Sequence, residues 1–127
     1  MTRVTLVATC LTVALVVACR TAPILNPDGP LGPPASASLD DIAQAVVKAG
    51  TRLGWVIELE GPGEARGTLQ LRNHEAVVKI LFSKQNLQID YVSSKKLYHS
   101  GNEIHRKYNN WVKKLRARIQ RKVAEIQ

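Results

Sequence analysis

From Trp55 to Val92 apolar and polar side chains alternate with a period of two, the pattern of strands that bury one face. Trp55, Ile57 and Leu59 alternate with Val56, Glu58 and Glu60, and Ala65, Gly67, Leu69 and Leu71 alternate with Arg66, Thr68, Gln70 and Arg72. Ala76, Val78, Ile80 and Phe82 share a face, as do Leu87, Ile89 and Tyr91. Turn residues divide the four runs at Gly61-Pro62-Gly63, Asn73-His74 and Ser83-Lys84-Gln85-Asn86. Hairpins in succession predict an antiparallel meander. Pairing Leu59 with Ala65, Leu69 with Val78 and Phe82 with Leu87 brings every apolar set to one face, whereas a slip of one residue would turn a strand inside out. The same registers set Glu58 against Arg66 and Lys79 against Asp90 on the other face, each pair favourable by roughly a few tenths of a kcal/mol.

Helical periodicity flanks the strands. Ser38-Leu39-Asp40-Asp41 is a helix start, with a serine cap, acids in the first turn and a carboxylate three positions on. Leu39, Ile42, Val46, Ala49 and Leu53 then recur on one side, Gly50 weakens the last turn, and Gly54 suits the stop. A second stripe comprises Ile104, Tyr108, Trp111, Leu115, Ile119, Val123 and Ile126, with the helix starting near Ile104 or at a cap on Asn109 or Asn110. The expected fold class is α+β: a two-layer α-β-β-β-β-α domain over residues 39–127, a four-stranded antiparallel meander with both helices on one face.

The N-terminus has a different pattern. Arg3 precedes an uncharged apolar run from Val4 to Val17, too short to span a bilayer comfortably and suited to a secretory leader over residues 1–18. Val16-Val17-Ala18-Cys19 resembles the bacterial lipobox. The resemblance implies a diacylglycerol on the Cys19 thiol, cleavage before that residue and acylation of the new amino group. Arg20 rather than aspartate follows, which by the same resemblance implies an outer-membrane lipoprotein of a Gram-negative envelope, facing the periplasm. Cys10 leaves with the leader and Cys19 carries lipid, so the mature chain keeps no thiol for a disulfide. Residues 19–38 hold five of the six prolines. They are expected to be a lipidated cysteine and an extended tether, with a reach of roughly 60 Å, that keeps the domain near the membrane but off its surface; the alternative is that they pack on the domain.

Charge matters in this setting. The chain carries a formal +8, and between Asn102 and Gln127 eight Lys and Arg face only Glu103 and Glu125. In an exported protein this excludes DNA and RNA as partners. Arg106, Lys113, Lys114, Arg116, Arg118, Arg121 and Lys122 lie off the apolar stripe and form a candidate contact surface for anionic headgroups, lipopolysaccharide phosphates or acidic envelope proteins. The bland alternative is a solvated, solubilising helix face. Val56, Val77, Leu81 and Val92, on the outer sheet face, form a second candidate partner patch, for which small exposed apolar patches are the ordinary explanation.

Catalytic signals are weak. His74, His99 and His105 show no metal-ligand spacing, and no nucleophile elbow surrounds Ser93, Ser94 or Ser100. No cofactor, metal or catalytic residue is expected. The segment Ile104-His105-Arg106-Lys107-Tyr108-Asn109-Asn110-Trp111-Val112 resembles a motif of small exported Gram-negative lipoproteins of unknown function, a resemblance covering about residues 39–120 that brings no activity with it. The expected function is therefore a lipid-anchored, non-catalytic binding or assembly module. An uncharacterised periplasmic hydrolase is the alternative.

Overall fold

The computed structural model describes residues 20–127; the segment expected to be a leader, residues 1–18, and Cys19 lie outside the described residues. In chain order the elements are β1 (Thr21–Pro23), β2 (Asp28–Pro30), α1 (Leu39–Arg52), β3 (Trp55–Gly61), β4 (Glu64–Leu71), β5 (His74–Phe82), β6 (Asn86–Lys95), β7 (Glu103–His105) and α2 (Arg106–Ala124). They build a small α+β fold with a five-stranded antiparallel sheet, ordered β2-β6-β5-β4-β3, and a two-stranded sheet of β1 and β7.

Local rules account for α1. Ser38 Oγ accepts the Asp41 N–H at 3.0 Å, and the Asp41 carboxylate accepts the Ser38 N–H at 2.9 Å, a complete capping box. Those bonds favour the charged form and lower the Asp41 pKa. Gly50 has a packing reason: a Cβ there would overlap Ile57, so α1 can lie close on β3.

The meander keeps the expected faces. Leu59 pairs with Ala65, Ile80 with Ile89 and Phe82 with Leu87. The β4–β5 hairpin departs from expectation. Its two-residue turn is Arg72-Asn73, with Arg72 at φ 58°, so Leu69 opposes Ala76 and Gly67 opposes Val78. The partners shift by two residues, which leaves each side chain on its face. Glu58 does oppose Arg66 and Lys79 opposes Asp90, yet the ion pairs run diagonally: Arg66 to Glu60 and Lys79 to Glu64, both at 2.6 Å.

Residues 20–38 are not a free tether, and the sheet has five strands rather than four. β2 pairs with β6, Asp28 opposite Gln88. The Ile89 N–H donates to the Pro27 carbonyl and the Leu31 N–H to the Gln85 carbonyl. Leu31 and Ala37 are buried. Proline composition misleads here because an edge strand can leave a missing N–H on its outer side. Long-range side chains complete the strap. Asn109 Oδ1 accepts the Leu25 N–H at 3.0 Å, and its Nδ2 donates to the Pro23 carbonyl at 2.9 Å.

α2 begins later than a helix from Ile104 and earlier than one capped by Asn109 or Asn110. Ile104 lies in β7, and His105 is the N-cap. Tyr108, Val112, Leu115, Ile119 and Val123 form its buried stripe, while Trp111 is half-buried. They join Ile42, Val46 and Ala49 of α1 and Trp55, Ala65, Leu69, Val78, Ile80, Leu87 and Ile89 of the sheet in one core.

Candidate functional site

The seven basic residues singled out in α2 do not form one ridge. Arg116 turns toward the strap, where its Nη1 donates to the Asp28 carbonyl at 3.2 Å; its Nε is buried without a hydrogen-bond partner. Gln120 does the same for the Pro30 carbonyl at 3.1 Å. Arg116 is thus half-buried and holds β2, which removes it from an open contact surface. Lys113 and Lys114 are exposed near mid-helix, and Arg106 stands at the N-terminal end.

Arg118, Arg121 and Lys122 instead meet two cations from the other helix. The helices run antiparallel, since Asp41 shares a cleft with Ile126 while Arg52 shares one with Arg118. Lys48 and Arg52 are four apart on α1, and residues 118, 121, 122 and 125 repeat on one side of α2. Together Lys48, Ala49, Arg52, Arg118, Arg121, Lys122 and Glu125 line a cleft of about 320 Å³. Lys122 reaches Glu125 at 3.6 Å. Among the described residues no carboxylate lies within ion-pair distance of Lys48, Arg52, Arg118 or Arg121. Arg52, Arg121 and Lys122 sit in last helical turns, where cations also offset the helix dipole. Lys48 and Arg118 lie outside those last turns. Chemically the cleft suits a compact anion such as a phosphate ester.

The valine patch does not assemble. Val56 is 62% exposed and Val92 42%, but Val77 is only 9% exposed and Leu81 is half-buried. A bulge between Val77 and Val78 sets Val77 opposite Ser93, so Val92 is the extra residue and not its ladder partner.

All three histidines gather at one end of the sheet with aromatic rings, which sequence spacing did not indicate. His74 lies 6.5 Å from Trp111, His99 4.9 Å from Tyr91 and His105 6.0 Å from Tyr98, centroid to centroid. His74 Nδ1 donates to the Lys96 carbonyl and His99 Nε2 to that of Gly101. Among the described residues no group of three or more His, Cys, Asp or Glu could hold a metal. Ser94 Oγ bonds the Tyr91 hydroxyl at 2.8 Å, but His99 meets Tyr91 ring against ring and offers Ser94 no base. A cleft of about 560 Å³ beside β2 is lined by Asp28, Ser83, Asn86 and Gln88 with backbone and apolar groups, and Ser83 Oγ accepts the N–H groups of Gln85 and Asn86 at 3.1 and 3.0 Å.

His105 caps α2 by accepting the Lys107 N–H on Nδ1 at 3.0 Å, which requires a neutral ring. Burial first, then Lys107, His74 and Arg20, lower its pKa below the ordinary histidine range. The unfolded chain therefore takes up the proton first. This contribution to stability is present above the unfolded pKa of about 6.5 and is lost as pH falls through the lowered folded value. Thermal midpoints at about pH 7.5 and about pH 5.5 should differ by no more than the roughly 1 kcal/mol that a side-chain cap supplies. His105→Asn, which caps without titrating, should flatten the difference; if that variant keeps the full pH dependence, the cap is not its source.

Tyr108 is fully buried, edge-on to Tyr91 at 5.5 Å, and its hydroxyl has no hydrogen-bond partner. Burial chiefly, with Tyr91 and Asp90, pushes its pKa up. An unpaired buried hydroxyl costs about 1–3 kcal/mol. Tyr108→Phe should leave the urea midpoint unchanged or raise it by the equivalent of about 1 kcal/mol. A clear loss of stability would show that the hydroxyl has a partner.

No protein-family model matches the chain, and neither does a curated protein or a solved structure. Among the described residues no helix is long and apolar enough to cross a membrane.

Proposed function

We propose that this chain is a lipid-anchored cell-envelope protein, acylated on Cys19 and held at the outer membrane facing the periplasm. In this reading it is a non-catalytic binding module with both helices on one face of its sheet. Its ligand is an anionic, phosphate-bearing envelope component. The observation that carries the binding role is the convergence of Lys48, Arg52, Arg118, Arg121 and Lys122 around one carboxylate in a cleft of about 320 Å³. The uncharged apolar run from Val4 to Val17 and the lipobox resemblance of Val16-Val17-Ala18-Cys19 support the compartment.

Residues 20–127 contain the whole strap and are the unit to test. Calorimetric titration with short-chain inorganic polyphosphate should show binding at low salt that weakens steeply at high salt, because exposed charges are screened beyond about 10 Å at 0.1 M. Binding that is absent, or indifferent to salt, would overturn the proposal. The variants that localise binding are considered in the Discussion.

A further inference from the structure

The strap leaves no slack between the acylation site and the domain. The Arg20 carbonyl accepts the Arg106 N–H at 3.0 Å, Thr21 pairs with His105, and the Ile24 N–H donates to the Asn102 carbonyl at 2.8 Å. Asn109 clamps Pro23 and Leu25 just beyond. Cys19 is one residue from Arg20, and adjacent Cα atoms are about 3.8 Å apart. If Cys19 is acylated, as proposed above, its chains would leave the protein beside the start of α2, where a flexible tether would have let the domain swing clear.

The surface around that point suits lipid headgroups. Arg20, Lys96, Arg106 and Lys107 are exposed, and among the described residues none is within ion-pair distance of a carboxylate. Glu103, on β7, and Glu75, paired with Lys95 at 3.9 Å, are carboxylates near this end. The first turn of α2 contains no acid, so these cations do not serve the helix dipole, which favours acids there. Tyr98 stands 59% exposed, with its ring stacked on His105. It and Lys96 are held in the left-handed backbone region, at φ 52° and 61°. A tyrosine ring, apolar with a polar tip, suits the headgroup layer.

We propose that the end of the domain carrying Arg20, Lys96, Tyr98, Arg106 and Lys107 lies against the anionic headgroups of the bilayer that holds the Cys19 acyl chains. The inference rests on acylation at Cys19, as proposed above. It also orients the basic cleft. At 1.5 Å per residue Arg118 is about 18 Å along α2 from Arg106, well beyond a Debye length. The cleft is then left free for a partner other than the anchoring bilayer.

The test uses the full acylated protein in vesicles of phosphatidylcholine and phosphatidylglycerol, with one cysteine introduced at a time by Tyr98→Cys, Lys96→Cys or Gln44→Cys. Each carries an environment-sensitive fluorophore, and some lipids carry a headgroup spin label. Labels at 98 and 96 should lose half or more of their emission to the quencher, and the label at 44, on α1, should lose little. Position 96 provides the readout if removing Tyr98 disturbs its loop. Equal quenching at all three positions, or none at 96 and 98, overturns the inference. Mass spectrometry of the same samples separates the two proposals. An unmodified Cys19 sinks the lipoprotein reading and this inference with it. An acylated Cys19 with unquenched labels at 96 and 98 sinks this inference alone.

Discussion

Gly63→Ala should destabilise the domain by about 2–5 kcal/mol, the sum of a left-handed backbone penalty and an overpacking penalty. Gly63 closes the β3–β4 hairpin at φ 71°, where an L side chain is strained. A Cβ there would also stand 2.5 Å from the Phe82 carbonyl oxygen, a backbone atom that no rotamer change can move. The same contact is structural: the Phe82 N–H donates to the Gly63 carbonyl at 2.9 Å, tying the hairpin to the end of β5. The alanine variant must spread that junction or lose its bond. Gly32→Ala is the matched control, with nothing within 4 Å of the added methyl, and should change stability by less than about 0.5 kcal/mol. Urea midpoints of the two variants settle the point. A Gly63→Ala loss below about 1 kcal/mol would mean that the turn relaxes freely.

Reversing two charges in the cleft should nearly abolish polyphosphate binding. Arg52→Glu with Arg118→Glu takes one cation from each wall. Each reversal removes an attraction and adds a repulsion, and at an exposed site each change is worth up to about 1 kcal/mol. A total of about 2–3 kcal/mol corresponds to roughly thirty- to a hundred-and-fiftyfold weaker binding. Neither side chain is in the core, so the thermal midpoint should stay near that of the parent. The control is Arg20→Glu with Arg106→Glu, at the other end of α2, which should keep most of the binding. Were both pairs equally damaging, the chain would act as a diffuse polycation and the cleft would have no special role.

Several features could be read from short stretches of chain because the physics behind them is local. The Ser38–Asp41 capping box spans four residues and needs nothing else. The faces of the strands follow from alternation, and the β3–β4 and β5–β6 pairings follow from making apolar faces coincide. Alternation has a blind spot, however. Moving β5 by two residues along β4 preserves every face, so the true register depended on Arg72 adopting φ 58° in the turn, a conformation its residue type disfavours. Ile104 fits the helical stripe of α2 equally well as a coincidence of spacing, but it is recruited to β7 by Thr21, Ala22 and Pro23.

The strap and the cleft lay beyond sequence reasoning for a common reason: their partners are far apart in the chain. Residues 20–38 have the composition of an extended linker, and extended backbone is what an edge strand uses. Whether such a segment floats or docks depends on bonds offered by Asn109, Arg116 and Gln120, more than 80 residues away. The seven α2 cations form a single helical face in a one-dimensional pattern. Packing against α1 and the strap divides that face, taking Arg116 into β2, bringing Arg118, Arg121 and Lys122 to Lys48 and Arg52, and leaving Arg106 beside Arg20. Periodicity sufficed for the existence of the helices, the four meander strands and their buried faces, because those depend on neighbours within a few residues. The docking of the strap and the sorting of the charges depend on contacts between distant segments, and these exist only once the core has brought the segments together.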